Sequence, residues 1–87
     1  MGDLYSKMGS ELRAMFKDLF SLGQEGAVRH KMANIVAAAD QIGGALKKDA
    51  DTLQADVEKF LQKPNDQHIA AVMKMHAARL EHETREL

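Results

Sequence analysis

His76 is the residue whose type and position could most readily do chemistry in this chain. It is the one polar side chain on an otherwise apolar stripe, Ile69, Met73, His76, Leu80 and Leu87, that recurs at helical spacing. An imidazole placed there could hold a metal or a haem iron. Met8, Met15 and Met32 occupy stripes of their own and could supply a thioether from a facing helix. His76 with Met8 is therefore the candidate cofactor pair. The competing reading is a histidine at the edge of a core, its nitrogens turned to water or to a neighbouring side chain. Helix packing by itself licenses no cofactor, so the plain reading is adopted and no cofactor is expected. A proton sensor at His76 is a further option, because imidazole titrates near neutrality.

Metal chemistry finds little else to use. There is no cysteine for a thiolate site or a disulfide. Among the four histidines, none lies three or four residues from another, and only His82 has a carboxylate at that distance, Glu86. Helical zinc and di-iron sites are built from such pairs, so no metal is expected. Catalysis is equally unsupported. Neither Ser21 nor Thr84 belongs to a nucleophile motif, no glycine-rich loop follows a strand, and carboxylate pairs fall on faces expected to be solvated. The chain reads as a non-enzyme.

Binding chemistry offers more. Phe16-Lys17-Asp18-Leu19-Phe20 has the pattern of a short amphipathic anchor that fills a groove on another protein, although any core helix shows the same spacing. Methionines can form an adaptable binding surface, but Met8 and Met15 alternate with Leu12 and Leu19 and so read as core or dimer interface. Met8, Leu12, Met15, Phe16, Leu19 and Phe20 together form the predicted interaction face. The basic clusters Arg29-His30-Lys31 and Lys47-Lys48 are short and surrounded by acids. With 12 Lys+Arg against 13 Asp+Glu, net −1, the sequence points away from nucleic acid, which demands several cations on one surface; a weak nucleic-acid-binding regulator, the further alternative, would need a dimer that assembles a basic face.

The elements that must position these residues are helices. Apolar residues in the first segment, about 3–22, fall at Met1, Tyr5, Met8, Leu12, Met15, Leu19 and Leu22, in alternating steps of four and three. This is the seam of coiled-coil-like packing. Leu4, Phe16 and Phe20 widen it enough to touch two neighbours, and Gly23 suits a C-cap. A second segment, about 24–48, repeats the steps through Val28, Met32, Ile35, Ala39, Ile42 and Leu46, with small residues crowding its middle. Lys47 and Lys48 would suit its C-terminus, and Asp51 with Gln54 would form a capping box for a third segment, about 52–63.

The seam also continues through Ala50, Leu53, Val57 and Phe60 after one extra four-residue step, so segments two and three could form one rod of about 60 Å. The Gly43-Gly44 pair favours a break instead. Pro64-Asn65-Asp66 ends the third segment, and Asn65 or Asp66 can cap a fourth, about 67–86.

The expectation is one all-α domain over 1–87: a small antiparallel bundle of four helices, or three with a long central one. No apolar run approaches the ~18–20 residues of a spanning helix, and no secretory signal opens the chain, which suggests a cytoplasmic protein. The start Met1-Gly2-Asp3-Leu4-Tyr5-Ser6 matches the loose pattern for N-myristoylation, but a charge directly after the glycine disfavours it. A chain this short with such broad seams is expected to pair as a homodimer. It would serve as an adaptor, assembly factor, chaperone or inhibitor of a larger protein machine.

Overall fold

Stripes repeating every three and four residues demand helices that pack along their length. The computed structural model, which describes residues 2–85, contains four: α1 (Gly2–Leu19), α2 (Glu25–Ile42), α3 (Gly44–Gln62) and α4 (Gln67–Arg85). Met1, which opens the N-terminal acylation pattern, Glu86, the carboxylate four residues after His82, and Leu87, the last seam position, lie outside the described residues.

Cross-helix pairs give the register. Lys31 pairs with Asp18 and Asn34 with Glu11 across α1 and α2; Arg29 pairs with Glu58 and Lys47 with Asp40 across α2 and α3. His76 pairs with Asp56 and Arg79 with Asp49 across α3 and α4. In each set a later residue on one helix meets an earlier one on the next, so neighbours run antiparallel. Gly9 of α1 approaches Thr84 of α4, while Phe20 beyond α1 meets Lys74, so α4 also runs antiparallel to α1. The result is an up-down-up-down bundle of 37 × 22 × 17 Å.

The seams fill its centre. Met8, Leu12, Met15 and Leu19 of α1 are buried, as are Val28, Met32, Ile35 and Ala39 of α2. Leu46, Ala50, Leu53, Val57 and Phe60 come from α3, and Met73, Ala77 and Leu80 from α4. The register sets Leu12, Ile35, Leu53 and Leu80 at one level, one residue per helix, all at most 2% exposed. Four methionines, Met8, Met15, Met32 and Met73, are core, and Met75 lies outside at 61% exposure. Among the described residues no helix is long and apolar enough to cross a membrane.

Several boundaries differ from the expected ones. α1 ends at Leu19, not near Leu22, in a turn closed by the Ser21 amide donating to the Asp18 carbonyl (3.0 Å). Leu22 is fully exposed, because the chain there is already reversing toward α2 and has no helix opposite it. Gly23 is in the left-handed region (φ 76°) inside this loop, not directly after the helix. Ala33 and Ala37 face solvent, while Ala38 and Ala39 are buried in the core.

The break between α2 and α3 falls at Gly43, excluding the single long rod. Lys47 and Lys48 therefore start α3 and do not end α2; Asp51 is mid-helix and caps nothing. Lys47 bridges Asp40 (3.4 Å) and Asp51 (3.1 Å), and hydrogen bonds to Asp51 and then Asp40 raise its pKa. Asp66 does cap α4: its Oδ1 accepts from the His68 and Ile69 amides at 3.0 and 3.1 Å.

One residue makes the α2–α3 reversal. Gly43 has φ 82° and ψ −169°, a region almost closed to side-chain-bearing residues, and Gly44 follows at φ 61°. Gly43→Ala is expected to lower the unfolding free energy by about 1–3 kcal/mol. Gly26→Ala, at an exposed helical position with nothing near the new Cβ, should instead stabilise by about 0.4–1 kcal/mol. Urea denaturation of the two variants checks both signs.

Candidate functional site

Of the six residues expected to form an interaction face, the fold uses four internally. Met8, Leu12, Met15 and Leu19 are at most 7% exposed. Phe16, on the flank of α1 toward α4, is half-buried against the core, and Phe20, one residue past the end of α1, stays at the surface. Phe20 is 55% exposed. It meets Phe16 edge-on with centroids 5.6 Å apart, and Phe60 of α3 at 5.7 Å. Lys74 Nζ stands 5.3 Å from the Phe20 ring centroid, a cation over a π face.

Next to this cluster α1 and α4 part to leave a groove of about 440 Å³. Its floor is apolar: Leu12 and Phe16 from α1, Ala77 and Ala78 from α4. Its rim is charged, with Arg13 and Lys17 on one side and Lys74 and Glu81 on the other. The alanines explain the opening, since α4 sends no long side chain across at that level. A smaller hollow of about 240 Å³ at the end of the bundle, beneath Leu22 and between Phe20 and Phe60, extends the apolar surface.

His76 is half-buried at the α3–α4 seam, where its Nδ1 is hydrogen-bonded to Asp56. Asp56 is the one buried charged residue among those described, 8% exposed. The bond fixes the imidazole against α3, toward the flank away from α1. The α1–α4 register puts His76 level with Lys17 and Met8 level with Arg85, about 13 Å apart along the bundle. The cofactor pair is thus not brought together. No group of three potential ligands able to hold a metal occurs among the described residues, and no hydroxyl among them hydrogen-bonds to His76. His30, His68 and His82 face solvent, as expected.

A second polar group on the same seam escaped the sequence reading, which placed all carboxylate pairs on solvated faces. Asp49 of α3 and Glu83 of α4 are half-buried, and Asp49 Oδ2 lies 3.5 Å from Arg79 Nε. Asp49 Oδ2 and Glu83 Oε1 are both shielded from water and lack a hydrogen-bond donor. A proton on Glu83 supplies the missing donor. Burial pushes the Glu83 carboxyl from its ordinary 4.5 up to about 7; Asp49 adds to the rise through hydrogen bonding and its charge, and Arg79 opposes it.

The signal was present in the spacing. Asp49 and Asp56 are seven residues apart, as are His76 and Glu83, so each pair returns to one edge of its helix. Antiparallel packing sets Asp56 opposite His76 and Asp49 opposite Glu83.

The folded chain keeps the Glu83 proton over a range in which the unfolded chain has released it. Raising the pH from 4.5 through about 7 therefore drains stability from this site. Glu83→Gln is expected to remove that slope and to leave the protein more stable than wild type at about pH 8, with an amide donating to Asp49. Urea midpoints at about pH 5 and pH 8 measure it; parallel behaviour of the two proteins would show that Glu83 ionises without cost.

Three cations of the basic clusters, Arg29, Lys31 and Lys47, are paired with carboxylates of the chain itself. Arg29 pairs with Glu58 at 3.0 Å, and that hydrogen bond raises the guanidinium pKa. Lys31 pairs with Asp18. These cations bind helices to one another and form no shared face. No family model matches the chain, and neither curated proteins nor solved structures show significant similarity to it.

Proposed function

We propose that this chain is a non-enzymatic, intracellular docking module that binds another protein through the α1–α4 face. The observation that supports this reading is Phe20: a large aromatic residue, more than half exposed, held in place by Phe16, Phe60 and Lys74 beside an open apolar groove. Ordered aromatic side chains next to a concavity are the usual anchors of protein interfaces, because they bury much apolar area while losing little side-chain freedom. Adaptors, assembly factors, chaperones and inhibitors of larger machines all work this way.

A homodimer through this face is the weaker form of the reading. A two-fold axis would bring together two copies of a rim that holds three cations, Arg13, Lys17 and Lys74, against one anion, Glu81, and the excess of like charge opposes such contact. Light scattering at micromolar concentration reads the oligomeric state directly. The docking reading is tested by placing a photo-crosslinking phenylalanine analogue at position 20 or at the exposed position 33 of α2, in cells that make the protein. Adducts to a larger protein are expected from position 20 and not from position 33. Equal labelling at both, or none at either, would reject it.

A further inference from the structure

We infer that the occupant of the α1–α4 groove is an acidic amphipathic helix; this rests on the docking reading above. The groove's shape and its charge each contribute. Along α4 the groove runs from Lys74 to Glu81, about 10 Å, which matches two turns of a guest helix. The floor is apolar and bare at Ala77 and Ala78, where a guest could bring apolar side chains at positions i, i+3 or i+4, and i+7.

The rim carries the sign. Arg13, Lys17 and Lys74 are cations, and the one anion there, Glu81, already accepts a contact from Arg85 at 3.3 Å. On a chain of net charge −1 this is a local reversal. Cations along the other helix seams are met by carboxylates of the chain itself: Arg29 by Glu58, Lys31 by Asp18, Lys47 by Asp40, Arg79 by Asp49. Among the described residues no carboxylate lies within ion-pair distance of Arg13 or Lys17, and Lys74 faces a ring. A guest with glutamates or aspartates flanking its apolar stripe supplies the missing partners. Phosphates would meet the same cations, but a nucleic-acid backbone makes no use of Phe16, Ala77 and Ala78.

The test uses the isotope-labelled full chain and peptides of about 15 residues that share one apolar stripe. Their flanking positions are all glutamate, all lysine or all glutamine. A short DNA duplex serves as the fourth probe. Amide shifts of Phe16, Lys74, Ala77 and Ala78 report the groove. The glutamate peptide is expected to bind there at least about tenfold more tightly than the lysine peptide. Reversing two exposed rim charges, K17E with K74E, should invert that order while circular dichroism remains unchanged.

If the glutamine or lysine peptide binds the groove as well as the glutamate one, the charge inference fails and the docking reading survives. If no peptide shifts the groove amides, both fail. Stronger groove shifts with the duplex than with the glutamate peptide would also overturn the inference.

Discussion

Leu53→Ala is expected to lower the unfolding free energy by about 2–5 kcal/mol, the largest effect of any single change considered for this protein. Leu53 is fully buried, at the level where Leu12, Ile35 and Leu80 converge from the other three helices. Removing its isobutyl group forfeits the transfer energy of the lost carbons. It also leaves a hole that three rigidly placed neighbours close only in part. For a chain of 87 residues, total stability at ~0.05–0.15 kcal/mol per residue is about 4–13 kcal/mol, so the lower end of that range could be nearly erased. Urea denaturation followed by circular dichroism at 222 nm, where helices absorb, reads the change. A loss below about 1 kcal/mol would mean that the four-residue layer is not packed as described.

His76→Ala is expected to cost about 2–3 kcal/mol, because it strips the buried Asp56 carboxylate of its hydrogen-bond partner. Asp56→Ala should cost less than this, since the more exposed imidazole can turn to water. Replacing both residues by leucine should return the protein to within about 1 kcal/mol of wild type, as an apolar pair carries no desolvation penalty. The strong non-additivity expected of this cycle is the mark of a coupled pair. Additive losses would show that His76 and Asp56 act independently. A polar pair inside a heptad seam is also a register device: sliding α4 by one turn against α3 would bury Asp56 against an apolar neighbour. With Asp49 and Glu83 one heptad further along, the α3–α4 interface is specified at two levels.

The helices and most core residues were legible in the sequence because burial on a helix leaves a period. Alternating steps of four and three fixed the inward positions of α1, α2 and α4, and of Ala50 to Phe60 on α3, without reference to any neighbour. Boundaries were less legible. Lys47, Lys48, Asp49 and Asp51 look like the junction of two helices by charge, yet they lie within the first half of α3, where Lys47 joins Asp40 and Asp51. Backbone conformation at Gly43 outweighed the weaker preferences of the macrodipole.

The proposed docking face was half legible. Phe16 and Phe20 were read as widening the stripe beyond the seam, but the predicted face also held Met8, Leu12, Met15 and Leu19, which the core takes. A helical stripe does not reveal whether its partner belongs to the same chain. Sequence by itself determined that these segments are helices and which edge of each is apolar, since both follow from side chains a few residues apart on one helix. Tertiary structure alone decided which edges meet: that Asp56 finds His76, that Asp49 crowds Glu83, and that α1 and α4 part beside Phe20. Those outcomes depend on contacts between residues distant in the chain, and no local period encodes them.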